Sequence, residues 1–254
     1  MSALLGVSGV TVRFGGVTAL DDVGFEVRKG EFLSLIGPNG AGKTTMLRVI
    51  AGLIKPRTAR VVLDGRDISS LAIHQRVRLG LALTHQIVRP LRSMTVLDNV
   101  ALAVGWRRIG NPLRALVSLD RRAERVRARE ILDFFDIGDV ADKPAAGQPL
   151  GVLKRLEAAR ALALGPKLLL LDEPLAGLNS VEAARLADAI TKVNNQGITV
   201  VMIEHNLGEV LRVSRRLVVL DNGRKIADGD PGQVMRESAV RAAYVGKEKT
   251  NAAA

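Results

Sequence analysis

The residues with the clearest chemical signal form a segment at positions 37–44, with the sequence GPNGAGKT. This segment matches the pattern G-x-x-x-x-G-K-[ST], follows the short apolar run Phe32–Ile36 and precedes a stretch of helical character. Glycines allow backbone N–H groups to turn inward around phosphate oxygens, and the start of a helix adds a favourable dipole. The pattern therefore predicts a phosphate-binding loop formed by Gly37, Pro38, Asn39, Gly40, Ala41, Gly42, Lys43, Thr44 and Thr45.

Four side chains could act on phosphates bound there. Lys43 can reach the β- and γ-phosphates, and the Thr44 hydroxyl can ligate Mg²⁺. A second apolar run, 168–171, ends in Asp172 and Glu173. Asp172 is placed to hold Mg²⁺, directly or through water, and Glu173 is the candidate for polarising an attacking water. Two adjacent carboxylates repel each other unless a cation or a hydrogen-bond network offsets the repulsion, so this pair favours a metal-assisted site over a solvated strand end.

The composition limits the class of protein. The chain has 254 residues, of which 47% are hydrophobic and 25% charged, and it has no cysteine. These values exclude a disordered chain, a disulfide scaffold and a cysteine nucleophile. Because no apolar run approaches the roughly 20 residues that span a bilayer and the N-terminus lacks a secretory pattern, a cytoplasmic protein is expected. The formal net charge of +11 could serve nucleic acid, an anionic membrane, phosphate ligands or solubility alone.

Segments with strand and helix patterns alternate along most of the chain. Strands are predicted at Leu5–Phe14, through Val23–Val27, and at Phe32–Ile36, Arg60–Leu63, Leu81–Thr84, Leu168–Leu171 and Ile198–Ile203. The turn at 221–223 predicts a hairpin that joins Leu217–Leu220 to Lys225–Ala227. Helices are predicted at about Lys43–Ile50, Val96–Val104, Arg121–Phe135 with Asp120 as N-cap, Val152–Leu164, Ser180–Asn194 with Ser180 as N-cap, and within Pro231–Tyr244.

The strand signal disappears between about residues 86 and 164. This gap predicts a helical subdomain that is inserted into an α/β core. We therefore expect a single domain whose core comprises residues 1–86 and 165–246. The inserted subdomain would occupy about 87–164, and residues 247–254 would form a tail.

The two motifs, their order and the insertion resemble the nucleotide-binding subunit of ABC transporters over about residues 5–246. The similarity is closest to the ATPase subunits of branched-chain amino-acid importers. It is carried by RFGGVTALDDVGFEV at 13–27, MTVLDNV at 94–100, LDEPLAGLN at 171–179, IEHNL at 203–207 and AAYVG at 242–246. The resemblance implies ATP and Mg²⁺ as ligands. It also implies an α/β P-loop NTPase core with a small antiparallel β portion and an inserted α-helical subdomain.

The resemblance also implies roles for single residues. Phe14 matches the aromatic residue that stacks on adenine, and Gln86 matches the glutamine that senses Mg²⁺ and the attacking water. His205 matches the switch histidine that contacts the γ-phosphate and orients Glu173 and water. The less favoured alternatives for these residues are a core phenylalanine at a strand end, a surface glutamine and a polar strand cap. Asn179 lies in the loop that communicates across the dimer, where the family usually has aspartate.

The family signature LSGGQ aligns with 148–152, where only Gly151 is retained. Pro149 has neither a hydroxyl nor a backbone N–H, so two possible donors are lost. We expect Gly151 and the N–H groups of the helix beginning near Val152 to reach the ATP bound by a partner subunit in a head-to-tail dimer. The basic stretch Arg121–Arg129 is either a solvated helix face or a contact for anionic lipid headgroups or a membrane partner.

The resemblance implies an ATP-hydrolysing subunit that drives uptake of branched-chain amino acids or a related small polar solute. The implied partners are membrane permease subunits, a second ATPase subunit in a homodimer or heterodimer and, indirectly, an extracytoplasmic solute-binding protein. The chain would then lie peripherally on the inner face of the cell membrane. A permease helix is expected to dock on the surface after Gln86, which includes Ile87, Pro90 and Leu91.

Two alternatives to this function stay open. Within the family, the chain could be the ATPase of an exporter or a lipid-extraction system. Outside transport, it could be a soluble ABC-type ATPase that acts on ribosomes or nucleic acid. Only the net charge of +11 supports the second alternative, and aromatic residues, which provide stacking platforms for single strands, make up just 3% of the chain. No nucleic-acid partner is therefore expected.

Overall fold

The computed structural model of the protein describes residues 3–84, 89–106 and 121–251. Two β-sheets organise this part of the chain. Their strands are β1 (Ala3–Phe14), β2 (Val17–Arg28), β3 (Phe32–Ile36), β4 (Thr58–Leu63), β5 (Arg66–Asp67), β6 (Leu81–Leu83), β7 (Leu168–Asp172), β8 (Thr199–Ile203), β9 (Arg216–Asp221) and β10 (Arg224–Gly229).

The smaller sheet is antiparallel, with the strand order β2–β1–β4–β5. The larger sheet has the order β10–β9–β3–β8–β7–β6. Its strands pair in parallel, except that β10 runs antiparallel to β9. Because the carboxyl ends of parallel strands meet at one edge of a sheet, the segments that follow β3, β7 and β8 are brought together there. These segments contain the predicted phosphate-binding loop, Glu173 and His205.

The helices are α1 (Lys43–Ala51), α2 (Ile73–Arg78), α3 (Val96–Val104), α4 (Arg122–Phe134), α5 (Leu150–Ala163), α6 (Ser180–Asn195), α7 (Leu207–Val213), α8 (Pro231–Val234) and α9 (Ser238–Asn251). Helices α3, α4 and α5 lie between β6 and β7 in the chain and pack against one another. Their contacts are apolar and include Val100, Ala128, Leu132 and Leu156, all of which are buried.

The larger sheet separates two apolar cores. Successive residues of a strand point to opposite faces of a sheet, so a continuous apolar run serves both faces. In β7, Leu168 and Leu170 belong to the core that also contains the smaller sheet and α1. Leu169 and Leu171 belong to the core shared with α3–α6. The fully apolar sequence of β7 therefore follows from its burial on both sides.

The structure confirms the predicted α/β class, with a small antiparallel portion and a helical stretch between β6 and β7. Three details differ. The N-cap of α6 is Asn179 rather than Ser180, because the Asn179 side chain accepts a hydrogen bond from the Glu182 N–H at 2.9 Å. Helix α5 begins at Leu150 rather than near Val152, since Pro149 has extended backbone and sits at the N-cap position. The N-cap position of α4 is Arg121, whose side chain makes no capping hydrogen bond, rather than the predicted Asp120, which lies outside the described residues.

Candidate nucleotide-binding and catalytic site

The loop that follows β3 is shaped by its glycines. Gly42 has a φ of 98°, and a Cβ added there would lie 2.6 Å from the Ala19 carbonyl oxygen. Gly37 has a φ of 142°, and a Cβ there would lie 2.0 Å from the Leu220 carbonyl oxygen. Side chains are thus excluded at both positions by backbone conformation and by the close approach of β2 and β9. The loop can take this course only with glycine at 37 and 42.

Lys43 is the first residue of α1, and its side chain turns back over the loop. Its Nζ donates hydrogen bonds to the carbonyl oxygens of Gly37 at 2.7 Å and Pro38 at 2.9 Å. Lys43 is only 6% exposed. The ammonium therefore lies inside the loop, where it stabilises the loop's conformation and supplies positive charge for an anion.

The Thr44 hydroxyl donates a hydrogen bond to Asp172 Oδ1 over 3.1 Å. Asp172 ends β7 and is 4% exposed, and its N–H donates to Thr84 Oγ1 at 3.3 Å. A hydroxyl and a carboxylate oxygen side by side are the hard oxygen ligands that Mg²⁺ prefers, with phosphate oxygens and water completing its shell. Within residues 3–84, 89–106 and 121–251, no three His, Cys, Asp or Glu side chains cluster as a metal site. The pair fits a Mg²⁺ ion that is bound together with a nucleotide.

Glu173 directly follows Asp172, and its carboxylate contacts the imidazole of His205. Glu173 Oε1 lies 2.9 Å from His205 Nε2. The Glu173 side chain is 13% exposed and that of His205 is 42% exposed. Glu173 has a φ of 51°, the left-handed region that a non-glycine residue adopts at a cost. Strain of this kind is typical of a functional residue whose surroundings fix its conformation.

These groups share one cavity of about 200 Å³. It brings together the loop after β3, Glu173 directly after β7 and His205 two residues after β8, as the sheet topology requires. A cavity lined by backbone N–H groups, a lysine, a carboxylate and a histidine can hold a polyphosphate and place a water beside it. The lining residues are Ala19, Asn39, Gly40, Ala41, Gly42, Lys43, Thr44, Thr45, Glu173 and His205.

Five of the predicted site residues that the structure describes do not line this cavity. Gly37 and Pro38 contact Lys43, and Asp172 contacts Thr44, so these three lie next to lining residues. The other two are Phe14 and Gly151. Phe14 ends β1 with 51% of its surface exposed, which leaves its ring available to a planar ligand. Gly151 lies in the first turn of α5, where a Cβ would come within 2.4 Å of Glu182 Oε1. Gln86 lies outside the described residues. For Phe14, Gly151 and Gln86, the adenine, partner-site and Mg²⁺ roles stay predictions.

Two buried charged residues next to Glu173 were missed by sequence reasoning. Lys154 in α5 is 5% exposed, and its Nζ donates to the Glu173 carbonyl oxygen at 3.0 Å. Glu204 is 3% exposed and accepts from the N–H groups of Leu175 at 2.6 Å and His205 at 3.1 Å. Burial raises the pKa of Glu204, although these backbone N–H groups oppose the rise. In the sequence, the only feature that could have indicated a role for Glu204 is its position next to His205.

Three arginines of the basic stretch 121–129 pair with acidic side chains. Arg125 pairs with Asp98, Arg127 with Glu130 at 2.7 Å, and Arg129 with Asp142 at 2.8 Å. The three arginine side chains are between 46% and 64% exposed. Exposed pairs of this kind contribute little stability, and they favour the interpretation of a solvated helix face.

The sequence profile of the family described as ABC transporter matches residues 20–176. The chain belongs to the ABC transporter family. Its likeness to an ATP-binding cassette of an ABC transporter, solved in its ADP conformation, covers 97% of this chain and all of that one, with a TM-score of 0.84 and 31% identity. A dimeric bacterial ABC transporter cassette matches over 89% of this chain and 98% of its own, with a TM-score of 0.79 and 27% identity.

Curated relatives in the ABC transporter family match nearly end to end. The high-affinity branched-chain amino acid transport ATP-binding protein BraF of Pseudomonas aeruginosa is 36% identical over 250 residues, which cover 96% of this chain and 98% of BraF. The lipopolysaccharide export system ATP-binding protein LptB of Haemophilus influenzae is 34% identical over 229 residues, which cover 90% of this chain and 91% of LptB. This chain is thus the ATPase subunit of an ABC transporter, and it binds ATP. Among the described residues, no helix has the length and apolarity to cross a bilayer.

Proposed function

We propose that this ABC ATPase energises the uptake of branched-chain amino acids or a related small polar solute. The observation that carries the proposal is the end-to-end similarity to the branched-chain amino acid transport protein BraF, at 36% identity. An importer of this kind needs a separate permease, a second ATPase subunit and an extracytoplasmic solute-binding protein. The chain would accordingly lie on the inner face of the cell membrane.

The geometry of the cavity supports a mechanism of in-line attack by water on the γ-phosphate. Glu173 polarises the water, and His205, which contacts the Glu173 carboxylate at 2.9 Å, orients both the carboxylate and the γ-phosphate. Lys43 leaves the Gly37 and Pro38 carbonyls and pairs with the β- and γ-phosphates. Each of these residues already lies against the cavity, so the catalytic groups need only small movements to engage a nucleotide.

Mg²⁺ would be held by Thr44 and Asp172, with Gln86 completing the polar surroundings. When bound, it neutralises phosphate charge that would otherwise repel the attacking water. Phe14 would stack on the adenine ring from its exposed position at the end of β1. In a head-to-tail dimer, Gly151 and the first N–H groups of α5 would approach the ATP of the partner subunit.

A second groove supports the proposal of a permease partner. It has a volume of about 460 Å³ and lies between β6 and helices α3 and α5. Two of the predicted docking residues, Pro90 and Leu91, are close to this groove in the chain, and the third, Ile87, lies outside the described residues. The backbone of Leu91 is held by the buried Asn99, whose side-chain oxygen accepts a hydrogen bond from the Leu91 N–H at 2.9 Å. The groove is lined by apolar side chains together with polar and charged ones, which suits an amphipathic permease helix. The lining residues are Leu83, Arg89, Asn99, Leu102, Ala103, Trp106, Glu157, Arg160, Ala161 and Leu164.

The proposal is tested by transport in vesicles that contain the chain with the permease and ATPase subunits that co-purify with it, in the presence of the solute-binding protein of the same system. ATP-dependent uptake of radiolabelled leucine, valine, urea or a short amide is expected, and it should disappear with Glu173→Gln. The similarity to LptB names the second candidate, a lipid exporter. ATP-dependent release of lipopolysaccharide from the vesicles, with no solute uptake, would favour the exporter. Co-purification with RNase-resistant nucleic acid, and not with membranes, would contradict both transport functions.

A further inference from the structure

The backbone of Glu173 is held from two sides. Its N–H donates to the Ile203 carbonyl oxygen at 3.0 Å, which continues the pairing of β7 with β8. Its own carbonyl oxygen accepts from Lys154 Nζ, also at 3.0 Å. With a φ of 51°, Glu173 is in a conformation that a non-glycine residue keeps only when its surroundings fix it. The hydrogen bond from Lys154 is one of those constraints.

Lys154 belongs to α5, a different element from the strand that carries Glu173. It is 5% exposed, so its ammonium is desolvated and depends on hydrogen-bond partners. Gly151 lies at i−3 on the same helix and therefore on a neighbouring part of the helix surface. A displacement of the first turns of α5 moves Lys154 and Gly151 together, because a short helix moves as a rigid body.

We propose that Lys154 is a positioning residue that couples helix α5 to the catalytic carboxylate of Glu173. The proposal rests on the role proposed above for Glu173. Lys154 does not line the cavity that is proposed to hold the nucleotide. It sets the direction of the Glu173 carbonyl, hence the φ and ψ of that residue and the place of its side chain beside His205. Through α5, the state of the Gly151 region is transmitted to the group that activates water.

The segment that begins at Glu173 is also held at Leu175, by the buried side chain of Glu204. The N–H of Leu175 donates to Glu204 Oε1 at 2.6 Å, and Glu204 also accepts from the His205 N–H. A buried ammonium thus holds the carbonyl at 173, and a buried carboxylate holds the N–H at 175. With the distal end fixed on β8, a movement of Lys154 changes the conformation of the segment instead of shifting it as a whole.

The test compares Lys154→Met, which keeps the aliphatic stem and removes the donor, with Lys154→Arg, which keeps a donor of different reach. Lys192→Met, at an exposed lysine of α6, is the matched control. Each full-length protein is assayed for kcat, KM and the Kd of a fluorescent ATP analogue. Hydrogen exchange is followed over residues 168–179. A displacement of a catalytic group by about 1 Å can cost on the order of 100-fold in rate.

We expect Lys154→Met to lower kcat by about 10- to 100-fold with the Kd changed by less than about two-fold. Exchange should accelerate at the Ala176 amide, which donates to the same Glu173 carbonyl oxygen at 3.3 Å, and Lys154→Arg should give an intermediate kcat. A wild-type kcat in Lys154→Met, with Glu173→Gln inactive, would overturn the coupling but leave the role of Glu173 intact. Activity in Glu173→Gln would instead overturn that role. If Lys154→Met does not fold, the kcat of Lys154→Arg becomes the test. A wild-type kcat in Lys154→Arg would then overturn the proposal.

Discussion

The Thr44 hydroxyl and the Asp172 carboxylate lie 3.1 Å apart although 128 residues separate them in the chain. Thr44 is in the first turn of α1, which follows β3, and Asp172 is the last residue of β7. Strand β8 lies between β3 and β7 in the sheet, so the pairing bridges two strand spacings at the carboxyl edge. A Mg²⁺ ion bound by these two oxygens would connect the phosphate-binding loop to the acidic pair at the end of β7.

Thr44→Ala should weaken Mg²⁺-dependent ATP hydrolysis, because it removes one of the two oxygens of this pair. A loss of about 10- to 100-fold in the apparent affinity for Mg²⁺ is expected. Thr44→Ser keeps the hydroxyl and is the matched control, with near wild-type behaviour. The measurement is the rate of ATP hydrolysis as a function of Mg²⁺ concentration at saturating ATP. Equal Mg²⁺ dependence of the two variants would rule out Thr44 as a ligand.

Glu173→Gln and His205→Ala should each lower kcat by about 10²- to 10⁴-fold, the range of a lost general base. ATP affinity should change little, because the loop after β3 supplies the phosphate contacts. The assay is single-turnover hydrolysis alongside equilibrium binding of ATP. Glu237→Gln, at an exposed carboxylate in the segment between α8 and α9, controls for the loss of one charge. A parallel fall in affinity would mean that Glu173 and His205 hold the nucleotide rather than the water.

The sequence predicts the parts of this site that depend on local spacing and misses the parts that depend on tertiary approach. The loop at 37–44 and the acidic pair are recognisable because each lies next to an apolar strand. Lys154 and Glu204 reach the catalytic segment only because α5 and the end of β8 pack around it, and no spacing encodes that contact. The cap at Asn179 was misplaced by one residue because serine and asparagine are equally good N-cap residues.

Gly151→Asp should abolish ATP-driven association of the hydrolysis-blocked Glu173→Gln protein. The new carboxylate would crowd Glu182, whose Oε1 lies 2.4 Å from the position of an added Cβ, and would repel a partner's γ-phosphate. The mass in solution is measured with and without ATP in the absence of Mg²⁺. Because crowding alone could unfold the start of α5, the thermal midpoint of each protein is measured as well. Association that persists in a folded Gly151→Asp protein would exclude Gly151 from the partner site.

If the Glu173→Gln parent itself stays monomeric while it binds ATP, the chain requires a different ATPase subunit as its partner. The loss of the signature donors at Pro149 makes such an unequal pair the expected arrangement. The same mass measurement, repeated with the ATPase subunit that co-purifies with the permease, should then show an ATP-dependent heterodimer. Homodimer formation by the parent alone would contradict this expectation.

Glu204→Gln should alter how stability depends on pH. Burial raises the pKa of Glu204 above its ordinary value of 4.5, so the folded protein binds this proton more tightly than the unfolded chain does. The stability that the protonated carboxyl contributes is therefore fully present below pH 4.5 and is lost as the pH rises through the raised pKa. The glutamine variant does not ionise and avoids this loss.

The difference in thermal midpoint, Glu204→Gln minus wild type, should thus become more positive between pH 4.5 and pH 8. At the acidic end the variant should be no more stable than wild type, because the hydroxyl oxygen of the protonated carboxyl keeps some acceptor capacity for the Leu175 or His205 N–H, whereas the amide nitrogen has none. Glu237→Gln again controls for the loss of a charge. A difference that is flat with pH would show that the backbone N–H groups around Glu204 balance the effect of burial on its pKa. A difference that falls as the pH rises would show that they outweigh it. Either result would contradict a raised pKa.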